Sequence, residues 1–132
     1  MKVVLTLMIM AALFGNCARG AVRIEKPCLA SWYGEEHRGK LMANGKRFDP
    51  EKLTAASWFY PLGTTVRVTL ASTGPTQPVR SVLVTITDRG PAKRLVRQGR
   101  QIDLAHAAFR TLAPPEWGLV EVIVQPTVFR RL

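Results

Sequence analysis

The segment Val82-Leu83-Val84-Thr85-Ile86-Thr87 constrains this chain more than any other, because it sets one residue in two aside for a core and then stops at Asp88-Arg89-Gly90-Pro91. Alternation with a period of two is the mark of a half-buried strand. The four residues after it are pure turn chemistry. Val66 to Leu70 repeats the alternation, and Leu29 to Tyr33 forms a further strand closed by Gly34. Gly118 to Gln125 makes a last strand, with Leu119, Val120, Val122, Ile123 and Val124. Between them, Glu35 to Lys52 reads as a polar loop with turn signals at Gly39, Asn44-Gly45 and Asp49-Pro50. Ser72 to Pro78 is a second turn-rich loop. Asp103 to Leu112 has helical spacing, with Leu104, Ala107, Ala108 and Leu112 on one face, Asp103 as its N-cap and Pro114-Pro115 as its stop. Several short strands with one or two short helices predict a mainly β chain closed into a small barrel.

The 132 residues suffice for one domain, and 47% apolar with 21% charged residues is a globular composition. Lys2 followed by the apolar run Val3 to Phe14 and small residues to Gly20 has the form of a secretory signal peptide. The run is too short for a mature membrane span, which needs roughly 20 residues. Two processing schemes are open: cleavage before Ala21 after Ala18-Arg19-Gly20, or acylation of Cys17 behind Phe14-Gly15-Asn16. Only the second brings a membrane into play. Residues 21–28 are then a leader, 29–126 the domain and 127–132 a tail. Cys28 is an odd thiol if Cys17 leaves with the signal. Neither the two cysteines nor His37 and His106 have metal-ligand spacing, so no metal and no cofactor are expected.

Without Lys2 and Arg19 of the signal, 17 of the 19 basic residues remain against 9 acidic ones, a net charge of +8. Such a chain is drawn to polyanions. The signal peptide argues against nucleic acid and for the polymers of a bacterial envelope.

Six motifs occur in order: Ala30-Ser31-Trp32-Tyr33-Gly34, Ala43-Asn44-Gly45 with Phe48-Asp49, Leu53-Thr54-Ala55-Ala56, Pro61-Leu62-Gly63-Thr64, Thr87-Asp88-Arg89-Gly90-Pro91 and Ile102-Asp103-Leu104. Together they resemble the rare lipoprotein A (RlpA-like) family, over about Leu29 to Gln125. The resemblance implies a six-stranded double-psi β-barrel, a periplasmic or outer-membrane location, and peptidoglycan glycan strands as ligand; the chain is expected to act as a monomer. It also implies lytic transglycosylation, in which glycan is cut without water to leave a 1,6-anhydro sugar. The family's aspartate is present as Asp88, the expected catalytic residue. Lys46 stands where an acidic residue usually follows Asn-Gly, and Ser57 where a histidine usually follows Ala-Ala. A more distant resemblance, to expansin-type barrels that loosen walls without hydrolysis, rests on Ser31, Asp88 and Asp103.

Around Asp88, the candidate substrate-binding residues are Ser31, Tyr33, Asn44, Trp58, Arg89 and Asp103. Tyr33 and Trp58 could stack on sugar faces, while Trp32 and Phe59 are expected in the core. A lysine near Asp88 would hold its carboxylate ionised, and Arg89 could add to that. Glu35 or Glu36 could supply the missing acid. His106 is expected to be an exposed bystander. Arg94, Arg97 and Arg100 form a basic loop within reach of peptidoglycan carboxylates.

Overall fold

The computed structural model describes residues 26–71 and 74–127. The expected signal peptide, Cys17 and the end of the tail lie outside the described residues.

Six strands close into a barrel: β1 (Cys28–Tyr33), β2 (Thr54–Ala56), β3 (Thr65–Leu70), β4 (Ser81–Asp88), β5 (Arg100–Ala105) and β6 (Val120–Pro126), in the circular order β1-β5-β2-β4-β3-β6. Two neighbouring pairs, β1–β5 and β2–β4, are parallel, and the rest are antiparallel. The alternation read in the sequence is the inside–outside alternation of the wall. Val66, Val68, Val84 and Ile86 point inward and are at most 1% exposed, whereas Leu83 between them is 43% exposed. Each fully buried aliphatic side chain of this kind stabilises the barrel by about 1.5–3 kcal/mol.

The helix α2 (His106–Leu112) packs on β1, β4 and β5 and drives Phe109 and Leu112 into the core. A short helix, α1 (Lys93–Val96), precedes β5. Trp32 is half-buried against this core, donates its indole N–H to Pro115 O at 2.9 Å and meets Phe109 at 6.4 Å.

Asp103 is not a helix N-cap. It lies in β5, and the helix begins at His106 after Ala105 in an extended conformation. Two strands flank β5 and pair with its backbone, and Ile102 and Leu104 alternate into the barrel. With no loop between β5 and α2, Leu104 falls in step with the helical face and mimics its first turn. Cys28, assigned to the leader, already pairs with Val122 in β6, and burial pushes its thiol up to about 11. Thr127, assigned to the tail, donates its N–H to Thr65 O at 3.0 Å.

The polar stretch after β1 is more ordered than a loop. Leu41 and Arg47 form a β-bridge, and Met42 N–H donates to Lys46 O at 2.8 Å. Gly45, at φ +82°, makes the turn of this small hairpin. Met42 and Phe48 fold down onto Tyr33, Ala56 and Ala105 as a second, smaller apolar cluster.

Candidate active site

One row of residues crosses four adjacent strands. Asp88 of β4 pairs with Ala56 of β2, Ala56 pairs with Asp103 of β5, and Asp103 pairs with Ser31 of β1. A register shift between Ala55 and Ala56 brings Asp88, rather than Thr87, level with Ala56. The two carboxylates therefore stand two strand spacings apart, about 10 Å between Cα atoms. Only a methyl group lies between them. Gly90 closes in beside it, and a Cβ built there would stand 3.3 Å from Ala56 Cβ.

The two carboxyls are held differently. Asp88 Oδ1 accepts the backbone N–H groups of Ala43 at 2.9 Å and Arg89 at 2.8 Å. Its other oxygen makes no hydrogen bond among the described residues and keeps contact with solvent. Asp103 Oδ1 accepts the Ser31 hydroxyl at 3.0 Å, and Ser31 Oγ in turn accepts Nε–H of Arg100. Burial pushes the Asp103 carboxyl above its ordinary range; the Ser31 hydrogen bond and the Arg100 charge oppose this without cancelling it. Arg100, grouped with Arg94 and Arg97 as a basic loop, is thus a strand residue that supports the row.

Tyr33 is not a surface platform. It is 9% exposed, stacked on Phe48 at 4.2 Å and edge-on to His37 at 5.6 Å. Its hydroxyl is buried with no hydrogen-bond partner among the described residues. Burial first, and then the negative charges of Asp88 and Asp103, push the phenol well above its usual range.

Arg89 turns its guanidinium away from Asp88. Nη1 donates to Ser57 O at 2.7 Å and Tyr60 O at 2.6 Å, so the side chain ties the segment after β2 to the turn after β4. Trp58 is 44% exposed, donates Nε1–H to Pro91 O at 2.8 Å and carries Lys93 Nζ 4.8 Å from its ring centroid. Phe59, expected in the core, is 53% exposed beside it. Asn44 makes the turn its Asn-Gly pair suggests, with Oδ1 accepting Lys46 N–H at 2.9 Å, and its own N–H reaches Thr87 O at 3.2 Å.

Lys46 is exposed at the hairpin and forms no ion pair with Asp88. Ser57 is fully buried, and its hydroxyl accepts Phe59 N–H at 3.1 Å. Glu35 is fully exposed and paired with Arg38 at 2.8 Å, whose hydrogen bonds hold its carboxyl below the usual range. Backbone N–H groups of Glu36 itself and of Gly34 do the same for Glu36. Both line a separate hollow with Trp32, Pro50 and His106 and are poorly suited to carry a proton. His106 is no bystander, since its half-buried ring meets Trp32 at 4.9 Å.

Ala56, the Ala43 N–H and Arg100 are parts of this site that residue types alone do not mark. Ala56 was visible only as part of a motif, and a backbone donor from 45 residues away leaves no signal in residue types. Among the described residues no cluster of His, Cys, Asp and Glu could hold a metal ion.

Comparisons with known proteins agree with this architecture. A probable endolytic peptidoglycan transglycosylase RlpA of Nostoc is 40% identical over 107 residues, covering 80% of this chain and 26% of that protein. The endolytic peptidoglycan transglycosylase RlpA of Yersinia pestis is 48% identical over 80 residues, covering 61% of this chain and 20% of that one. The chain thus spans about a quarter or less of these relatives. A solved mutant expansin of Clavibacter michiganensis, in complex with cellohexaose, superposes with a TM-score of 0.52 at 17% identity, over 80% of this chain and 52% of that one. That likeness shows a shared fold, the double-psi β-barrel. Residues 26–124 match the family model described as lytic transglycolase, and with that match over most of its length the chain belongs to the lytic transglycolase family.

Proposed function

We propose that this chain binds glycan strands of peptidoglycan over the Asp88–Ala56–Asp103–Ser31 row and cleaves them as a lytic transglycosylase. The observation that carries the reading is the row itself: two carboxyls of different environment face each other across one methyl group, in a member of this family. Relatives named for this activity support it.

The reaction needs no water and no second nucleophile. The 6-hydroxyl of the muramic residue attacks C1, the bond from C1 to the leaving sugar's oxygen breaks, and that oxygen takes up a proton. The hydroxyl proton returns to the group that gave the first one. Asp103, whose burial favours the proton-bearing form, suits that exchange. Asp88, with one oxygen fixed by two backbone N–H groups, offers the other to a sugar hydroxyl or to positive charge developing on the ring. Trp58 and Phe59, exposed in the segment after β2, offer aromatic faces beside the turn that follows Asp88.

The same proposal makes the chain an exported envelope protein. Residues 1–20 act as its signal peptide, and lipidation of Cys17 is the alternative to cleavage before Ala21. The mass of the mature protein separates these.

The activity is tested by incubating the mature chain with glycan strands and weighing the products. Anhydro-muramic ends that disappear in both Asp88→Asn and Asp103→Asn support cleavage. A second reading, a non-cleaving glycan binder or wall-loosening module, is favoured by Ser57 and Lys46. The buried Ser57 hydroxyl is committed to Phe59 N–H, where the family resemblance places a histidine. Retained binding without any anhydro product would sink the cleavage reading and leave this one.

A further inference from the structure

β2 and β4 are parallel neighbours, so the segments that follow them leave the barrel side by side beyond Ala56 and Asp88. The first brings Trp58, and the second brings the turn Arg89-Gly90-Pro91 and then α1. Ser57 N–H donates to Asp88 O at 3.1 Å, Arg89 reaches back to Ser57 O, and Trp58 Nε1–H donates to Pro91 O. Trp58 is thereby pinned beside the turn that Asp88 begins. Its ring stays exposed and carries the Lys93 ammonium 4.8 Å from its centroid.

Lys93 is exposed, and so are Arg94 and Arg97 next to it in the chain. None of the three forms an ion pair among the described residues, where the paired carboxylates are Glu35, Glu36, Asp49 and Glu51, all engaged by other cations. The negative face of the indole holds the Lys93 ammonium in a set place and leaves its outward N–H donors to an anion. Three unbalanced cations raise the local concentration of anions at this end of the row.

A bare glycan strand carries one lactyl carboxylate on each muramic residue and none on the glucosamine residues between them. A carboxylate carried over the row comes close to Asp88, and two negative charges at short range repel. Arg89 does not relieve this, because its guanidinium is committed to the carbonyls of Ser57 and Tyr60. Resting on the glycan reading, we propose that Lys93, held in place by Trp58, takes the lactyl carboxylate of a muramic residue bound beside Asp88. Lys93 is then a ligand of the strand and Trp58 its positioning residue. The contact sets the register of an alternating polymer, because it seats a muramic residue where a glucosamine residue would leave the ammonium unpaired.

Binding of the mature chain is measured at low salt to three ligands of equal length: bare glycan strands, the same strands with their lactyl carboxylates methyl-esterified, and oligomers of N-acetylglucosamine. The bare strands should bind about fivefold more tightly than the other two. High salt should level the three. Lys93→Gln should bring bare strands down to the level of esterified ones and leave the esterified ones unchanged. Trp58→Phe keeps a ring under the ammonium and should retain more of the preference than Trp58→Leu. Equal binding of bare and esterified strands by the native chain would overturn the proposal, as would a preference that survives Lys93→Gln. Lys46→Gln, on the hairpin whose Ala43 N–H holds Asp88, should keep the preference. A preference lost there and kept in Lys93→Gln would move the carboxylate to the hairpin and also overturn it. If the strands bind and the preference is missing, only the Lys93 contact fails; if none of the three ligands binds, the glycan reading fails with it.

Discussion

Asp88 and Asp103 are both strand partners of Ala56, one on each side, so a single methyl group lies between the two carboxyls. Their roles should separate on substitution. Asp103→Asn keeps a side-chain oxygen for the Ser31 hydroxyl and removes the proton, so glycan should still bind while turnover falls by about 10²–10⁴. Asp88→Asn loses the charge that faces the sugar, so affinity and turnover should fall together. Binding by calorimetry and anhydro-product release by mass read the two quantities independently. Equal loss of affinity in both variants would refute the division of roles.

Asp103 also makes stability depend on pH. Its folded value is raised, so over a window starting at its ordinary 3.8 the native state holds a proton that the unfolded chain has released. Stability contributed by the protonated group is complete below that value and is lost as pH rises through the raised one. Glu35 and Glu36, lowered by their partners, act in the opposite sense and lose their contribution as pH falls. The readout is therefore a difference: urea unfolding of Asp103→Asn minus that of the native chain. The variant should gain relative stability as pH rises from about 4. A flat difference would mean that Asp103 is not perturbed.

The elements legible in the sequence are those whose two faces see different surroundings. β4 and β3 alternate because one side meets the core and the other solvent, and Val84 and Leu83 register that directly. β2 is three residues long and lies between β4 and β5, so Thr54-Ala55-Ala56 has no periodicity to read. The end of β5, from Asp103, reads as the start of a helix because it runs into α2 without a turn. For the site, Asp88 and Asp103 announced themselves as acids beside apolar runs. Their spacing did not, because it follows from the register shift at Ala55–Ala56, a property of pairing and not of composition. Tyr33 looked like a loop-side stacking residue because the segment that buries it, Phe48 on the hairpin, returns from 15 residues away.

Arg89 should behave as a strut. Its guanidinium supports two carbonyls, of Ser57 and Tyr60, at 2.7 and 2.6 Å. Truncation to Ala leaves both acceptors without that donor and should cost about 2–4 kcal/mol in urea unfolding. Both bonds leave from one nitrogen, Nη1, which the shorter lysine side chain does not reach, so Arg89→Lys should recover less than half of the loss. Glycan affinity, measured well below the unfolding transition, should fall only to the extent that Asp88 shifts. A variant of native stability with abolished binding would instead make Arg89 a direct ligand of the glycan.

Tyr33 presents the opposite case, a polar atom that costs stability. Its hydroxyl is buried without a hydrogen-bond partner among the described residues, while its ring is well packed on Phe48. A buried donor with no acceptor costs about 1–3 kcal/mol, and removing it without changing the ring relieves that cost. Tyr33→Phe should therefore unfold at higher urea than the native chain, by about 1 kcal/mol or more. Burial first, and then the charges of Asp88 and Asp103, keep this phenol in its protonated form. The hydroxyl is closed to solvent and so to glycan, and the same substitution should leave glycan affinity within about twofold of native. If Tyr33→Phe loses stability, the phenol has a partner in the free protein and is part of the packing alone.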